Sequence, residues 1–215
     1  MQKYFGPRLK LGFKLLLSLV IFALVMRVAF AFYFFPPNRN DFTLTEWLKA
    51  FYLGSKFDLR VSLVFALPFF LLSPFSIFNP VAKPHAIKAW HYFYTFLFFL
   101  LLEVYSVDFG YYDYLKDRLN ASFLQFFANF WISAEMVWQT YPIIPAVIIS
   151  LIFIYILHYL IGKLVFRLPT NLIDERTKKQ KYTFGILTTL LILFGLYGKL
   201  SYYPLRWSEV FFFFF

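Results

Sequence analysis

Residues 15–35 have the sequence LLLSLVIFALVMRVAFAFYFF, an apolar run in which Arg27 is the only charged residue. A helix needs about 20 such residues to cross the roughly 30 Å hydrocarbon core of a bilayer. The run is long enough, and it therefore predicts a transmembrane helix. The triplet 29–31 (AFA) has the small-residue pattern of a signal-peptide cleavage site, but the apolar run continues past it without a polar region. We therefore interpret the segment as an uncleaved anchor.

The composition of the whole chain agrees with this first segment. Of 215 residues, 61% are hydrophobic and only 15% are charged, whereas soluble domains are about half apolar and a quarter charged. Four further stretches approach spanning length, so we predict an all-α membrane protein with a bundle of five transmembrane helices. The second stretch requires a bundle that tolerates Pro68. The five predicted spans are 15–35, 57–75, 89–109, 142–161 and 183–200.

Two segments between the spans mix aromatic and charged residues. They are 40–54 and 111–139, and such mixtures favour the headgroup layer of a bilayer. We predict interfacial helices there, on the extracytoplasmic side. In the fifth span, Gly185, Gly195 and Gly198 are predicted to allow close helix packing.

The distribution of basic residues predicts the orientation. Twelve lie in the N-terminal head, in 76–88 and in 162–182, and seven lie in the alternate segments and near the C-terminal end. The positive-inside rule then places the N-terminus in the cytoplasm and the C-terminus outside, in a multi-pass arrangement. The net charge of +10 is explained by this asymmetry, so we expect no nucleic-acid partner. The basic run 174–181 is interpreted as a solvated loop that touches anionic lipid.

Charged residues within predicted spans are costly, and they usually face a bundle interior or water. At about 1.5 Å per residue, five of them fall in the outer half of the bilayer. We expect a polar cluster there, with Arg27–Glu103 or Arg60–Glu103 as an ion pair. Two interpretations stay open: contacts that only stabilise the bundle, or a pocket in which arginines bind the phosphate of an anionic lipid. The candidate headgroup-binding residues are Arg27, Asp58, Arg60, Glu103, Asp108 and Arg206.

The sequence assigns no catalytic or metal-binding residue. Cysteine is absent, and the three histidines, His85, His91 and His158, are too dispersed to propose a metal centre. No Ser-His-Asp order, phosphate-binding glycine loop or HExxH motif occurs. A satisfied bundle histidine is favoured over a proton relay for His158.

Four short strings carry a resemblance to a known family. They are GSKFDLR (54–60), DRLNAS (117–122), MVWQTYP (136–142) and YPLRWSE (203–209). Together with five predicted spans, they make nearly the whole chain similar to the N-terminal membrane region of the lipoteichoic acid synthase family, which are sulfatase-like phosphoglycerol transferases of the alkaline phosphatase superfamily.

The resemblance implies a location, a chemistry and partners. Members lie in the bacterial cytoplasmic membrane, where five helices precede a large extracytoplasmic domain. That domain uses a threonine nucleophile and a divalent metal, usually manganese, to transfer glycerophosphate from a lipid. No residue of this chain matches the nucleophile or the metal ligands, so we expect no cofactor in the chain itself. The implied partners are membrane lipids, including an anionic glycerophospholipid, and the missing C-terminal sulfatase-like domain.

Residues 201–215 are then expected to begin a linker to that domain, shortened by a premature stop, a frameshift or an incomplete gene model. Whether the chain takes part in an enzyme is left open by its residues. A stand-alone adaptor or scaffold for envelope enzymes is the alternative function. A small transporter is disfavoured, because the sequence shows no inverted repeat and the charges gather near one membrane face.

Overall fold

The computed structural model of the chain describes residues 6–34, 43–167 and 178–197, and the regular structure in these ranges is entirely helical. A short 3-10 helix, Ala121–Phe127, lies between the third and fourth α-helices. The α-helices are α1 (Pro7–Tyr33), α2 (Leu44–Leu72), α3 (Pro84–Leu115), α4 (Phe130–Thr140), α5 (Ile143–Leu164) and α6 (Lys178–Tyr197).

Three of these helices, α1, α3 and α5, are long and apolar enough to cross a membrane. They overlap the first, third and fourth predicted spans, and α1 and α3 begin before those spans. The expectation of an all-helical fold is therefore confirmed for the described residues, and three of their helices have the length and composition of membrane spans. The bundle of five spans stays a prediction.

Helix α2 joins two segments that the sequence analysis separates. Residues 44–54 of the predicted interfacial segment and residues 57–72 of the second predicted span share one continuous helix, which runs through Pro68 and ends at Leu72. Its first turn is closed by a capping box, in which Thr43 and Glu46 bond to each other's backbone amides. The last 18 residues of α2 still carry three charged side chains, which distinguishes it from the more apolar helices α1, α3 and α5.

Helix α6 begins before the fifth predicted span. Its apolar part, Gly185–Tyr197, is shorter than a full span within the described residues. Residues 198–200, the expected linker 201–215 and the candidate residue Arg206 lie outside the described part of the chain.

The chain forms two compact units. The first unit contains residues up to Trp90 and from Leu164 onward, and the second contains His91–Lys163. In the first unit, α2 packs against both α1 and α6. The α1 residues Leu11, Leu15 and Leu19 are buried with a spacing of four, which places them on one face of the helix.

Close packing in the first unit depends on glycine and on aromatic contacts. A Cβ atom at Gly12 of α1 would approach the ring of Phe70 to 2.7 Å, so a larger residue would force this ring to move. Phe69 of α2 is fully buried and lies edge-to-face with Trp90, with ring centroids 5.1 Å apart. The indole N–H of Trp90 donates to the Phe78 carbonyl at 2.8 Å. These contacts fix the loop between α2 and α3.

In the second unit, α3 extends past its predicted span and ends at Leu115. Lys116 then adopts a left-handed conformation with φ of 57°, and its amide donates to the Tyr112 carbonyl at 2.8 Å. The chain continues through the 3-10 helix and α4, which pack against each other. Helix α4 has no buried residue. The predicted interfacial position of this segment stays a prediction.

Candidate functional site

Arg27 of α1 lies in a two-point ion pair with Asp58 of α2. Its Nε donates to Asp58 Oδ2 at 2.6 Å, and its Nη2 donates to Asp58 Oδ1 at 2.9 Å. The two side chains are only 18% and 8% exposed. A bidentate arginine–carboxylate pair of this kind fixes orientation as well as charge. The pair therefore holds α1 and α2 in register.

Gly54 adds a further contact between α1 and α2 at the Arg27–Asp58 pair, and we call these three residues the joint. Its carbonyl accepts a third hydrogen bond from Arg27 Nη2 at 3.0 Å. A Cβ atom at position 54 would overlap Nη1 and Cζ of the same guanidinium. Gly54 and Asp58 are four residues apart and thus lie on one face of α2. The GSKFDLR string therefore supplies both the space for the arginine and its counter-charge.

A second buried carboxylate, Asp108, organises the second unit. Its Oδ1 accepts from the Leu119 amide at 2.8 Å and from Arg118 Nε at 3.2 Å, and Arg118 Nη2 lies 2.7 Å from Oδ2. The Asp108 side chain is 7% exposed. Because both partners lie in the loop after α3, Asp108 ties this loop back onto the helix.

The strings DRLNAS and MVWQTYP contribute further structural contacts. Asp117 accepts from the Arg118 amide and from the Asn120 side chain, and the Asn120 side chain in turn accepts from the Ser122 amide to begin the 3-10 helix. The Tyr141 hydroxyl donates to the Gly110 carbonyl at 3.0 Å. In the described residues, the strings that carry the family resemblance therefore supply hydrogen bonds and ion pairs that hold helices and loops together.

A cleft of about 600 Å³ lies in the first unit, between α1, α2 and α6. Its walls are mostly apolar, and one side chain in its lining is charged. Gly195 allows α6 to come close to α2, because a Cβ atom there would overlap Leu63 Cδ1. This confirms the predicted packing role of Gly195, whereas Gly185 faces open space and Gly198 is outside the described residues. The cleft is lined by Phe13, Leu16, Tyr52, Lys56, Leu59, Leu63, Phe70, Thr188, Leu191, Ile192, Phe194 and Gly195.

Lys56 is the charged residue of the cleft. Its Nζ lies 4.4 Å from the centroid of the Tyr52 ring, one turn earlier on α2, in a cation–π contact. Among the residues that the structure describes, no carboxylate forms an ion pair with Lys56. Asp58, two residues away, is already bound to Arg27. The cleft thus has a positive end and long apolar walls. Sequence analysis did not single out Lys56, because it lies just before the predicted span.

Two histidines stack in the second unit. The rings of His91 and His158 lie 4.1 Å apart at 12° to each other, and Thr95 Oγ1 is 2.9 Å from His158 Nδ1. His91 Nε2 lies 3.0 Å from the His158 carbonyl, and Gly162 leaves room for the His91 ring. Both imidazoles therefore have polar partners between α3 and α5. This agrees with the satisfied bundle histidine that the sequence analysis favours for His158.

The structure brings the predicted site residues together only in part. Arg27 pairs with Asp58 in the first unit, where Arg60 also lies half-buried on α2. Asp108 and the half-buried Glu103 belong to the second unit. The expected pairs Arg27–Glu103 and Arg60–Glu103 join residues of different units and stay predictions.

The described residues hold no group of three or more His, Asp or Glu side chains placed to bind a metal ion. Comparison with protein-family models, with curated proteins and with solved structures finds no match to the chain.

Proposed function

We propose that this chain is the membrane-anchoring and lipid-binding region of a phosphoglycerol transferase of the lipoteichoic acid synthase type. In this proposal it lies in the bacterial cytoplasmic membrane with five spans, its N-terminus inside and its C-terminus outside. Residues 40–54 and 111–139 rest at the outer face. The catalytic threonine and the manganese ion belong to a sulfatase-like domain that follows the linker.

One observation carries the anchoring role: the outward faces of the long helices are apolar. In α5, Ile161 is the one buried residue, while Ile149, Leu151 and Ile152 are each more than half exposed. Soluble monomers rarely expose contiguous apolar patches above a few hundred Å². Lipid is the solvent that suits such a surface, and this supports a membrane anchor.

The ion pairs support a bundle that is built to stay in lipid. Arg27–Asp58 and Asp108–Arg118 each neutralise a charge that is expensive in a hydrocarbon environment. In the proposal, these pairs stabilise the platform. The glycerophosphate headgroup is then bound by basic side chains other than Arg27 and Arg118, which are paired with buried carboxylates.

A reporter-fusion series tests the topology. Fusions of an export-dependent phosphatase after residues 80, 120, 170 and 215 are expected to be inactive, active, inactive and active, in that order. The matched control is a cytoplasm-dependent fluorescent protein at the same positions, which should give the inverse pattern. An active phosphatase after residue 80 contradicts the proposed orientation.

A second test addresses the link to a catalytic domain. The isolated chain should show no metal-dependent phosphotransfer, and sequencing beyond codon 215 should find a sulfatase-like reading frame. Robust turnover by the chain alone would contradict the anchor role. An unrelated downstream sequence would remove the transferase assignment and leave a membrane scaffold.

A further inference from the structure

We propose that the cleft between α1, α2 and α6 binds an acyl chain of an anionic phospholipid, with Lys56 at the lipid phosphate. This inference deepens the proposed function and rests on it in one respect, because it takes the first unit to lie in a bilayer. It adds a binding site, the class of its ligand and the residue that recognises the headgroup.

The length and walls of the cleft suit a hydrocarbon chain. From Lys56 to Phe70, fourteen residues along α2, the cleft follows the helix for about 21 Å at 1.5 Å per residue. One leaflet of a bilayer provides about 15 Å of hydrocarbon, half of the core. Leu59 and Leu63 on α2 and Leu191 on α6 line this length. The volume of about 600 Å³ lies within the range of ligand sites.

The single positive charge of the cleft lies towards one end, where it could bind the phosphate of a lipid. Lys56 is its one charged residue, and in the described chain no carboxylate neutralises it. The Arg27 guanidinium is already bound to Asp58 and to the Gly54 carbonyl. A lysine can reach along apolar surface and place its ammonium at the headgroup level. A free phosphate would leave the apolar walls empty, so a phospholipid fits better.

Tyr52 fixes the position of the cation. Its ring lies 4.4 Å from Lys56 Nζ, and the residue is largely exposed. Aromatic rings of this kind are favoured at the boundary between headgroups and acyl chains. Tyr52 and Lys56 therefore mark the depth at which the phosphate would sit, with the chain descending beside Leu59.

The experiment measures lipid binding by the purified full chain in nanodiscs of phosphatidylglycerol or phosphatidylcholine. After transfer to detergent, retained lipid is counted by native mass spectrometry. Lys56→Gln is expected to weaken phosphatidylglycerol retention about tenfold, the factor of one charge-assisted contact, and to weaken phosphatidylcholine retention less, because the choline cation already offsets the charge of that lipid's phosphate. Lys56→Arg should preserve the preference. Lys49→Gln, which removes an exposed lysine from the same helix outside the cleft, is the matched control and should have no effect.

Filling the cleft tests the acyl chain separately. Leu59→Trp places a large ring in the cleft and should reduce retention of both lipids, whereas Leu48→Trp, on the same helix outside the cleft, should not. Glycerol phosphate without acyl chains should fail to displace the lipid. Unchanged retention in both Lys56→Gln and Leu59→Trp would overturn the inference, and so would displacement by glycerol phosphate alone.

A measurement on the unmodified chain avoids dependence on variants that fold poorly. Phosphatidylglycerol with a photoactivatable group in its acyl chain should cross-link to Leu59, Leu63 or Leu191. Cross-links confined to α5, or a second protein chain found in the cleft, would overturn the proposed occupant. Carbonate extraction of native membranes separates the two levels: a chain that stays embedded but retains no lipid refutes this inference alone, whereas an extracted chain refutes the membrane anchor as well.

Discussion

Arg27 and Asp58 are joined by two hydrogen bonds, of 2.6 and 2.9 Å, although they lie 31 residues apart on different helices. The same guanidinium reaches the carbonyl of Gly54, one turn before Asp58. Three hydrogen bonds thus converge on one arginine in a largely buried position. This joint links the most apolar helix of the first unit, α1, to its most charged one, α2.

Removing one member of this pair should destabilise the fold. Arg27→Ala leaves Asp58 without its counter-charge, and breaking a buried pair from one side typically costs about 3–5 kcal/mol. The free energy of unfolding, measured by denaturant titration in detergent, should fall by that amount. The double variant Arg27→Ala/Asp58→Ala should be more stable than the sum of the two single losses predicts. Strictly additive losses would show that the two charges do not interact.

Adding a methyl group at Gly54 should displace the same guanidinium. Gly54→Ala is expected to cost about 1–3 kcal/mol of stability, because overpacking forces the neighbouring side chain to move. Gly185→Ala is the matched control: this helical glycine has no atom within 4 Å of the added carbon, so its replacement should be neutral or slightly stabilising. In an Arg27→Ala background the Gly54→Ala penalty should vanish. A penalty that persists there would indicate a different clash.

Neutralising Asp108 should loosen the loop that follows α3. Asp108→Asn keeps an acceptor for the Leu119 amide but loses the charge that binds Arg118. Trypsin cleavage after Lys116 or Arg118 should then be about tenfold faster, since the open population of the loop rises. Asp113→Asn provides the control, because its 3.5 Å contact with Lys116 is exposed. Equal cleavage rates for wild type and Asp108→Asn would be inconsistent with this role.

The first turn of α2 should depend on pH. The backbone amide of Thr43, followed by its hydroxyl, donates to the Glu46 carboxylate and holds the pKa of Glu46 below its ordinary value of 4.5. A lowered pKa means that this cap is fully stabilising above pH 4.5 and is lost as the pH falls through the pKa of the folded state. Amide-exchange protection in the first turn should decrease accordingly.

Thr43→Ala serves as the control for that titration. It removes the hydroxyl but keeps the carboxylate, so protection should be lower at neutral pH and should change less with acidification. Protection that is unaffected by both acid and the substitution would mean that packing, rather than the capping box, holds the helix end.

The sequence predicts much of this fold because hydrophobic length is a strong signal. The three longest apolar runs coincide with α1, α3 and α5. Helix α2 contains residues from both the predicted interfacial segment and the second predicted span, because its backbone hydrogen bonds continue across the change in composition near Gly54. The composition of a segment indicates whether it suits water, headgroups or hydrocarbon, but it does not indicate where a helix ends.

The candidate site was less accessible to sequence reasoning. Depth along a helix places Arg27 and Asp58 in the same half of a bilayer, but it gives no information about which helices face each other. The pairing of Arg27 with Asp58 follows from the close packing of α1 on α2, and the contact around Gly54 is visible only in three dimensions. Lys56 was overlooked because a single lysine outside a span carries no pattern.

Helix α2 has a mechanical consequence. Its 29 residues form a rod about 43 Å long, which exceeds the roughly 30 Å hydrocarbon thickness. No break separates its capped first turn from Asp58, about 21 Å along the axis. A tilt of α2 at Thr43 is therefore transmitted along the helix to the Arg27–Asp58 ion pair. A ligand or domain that binds the N-terminal turn of α2 would thereby act on the contact between α1 and α2.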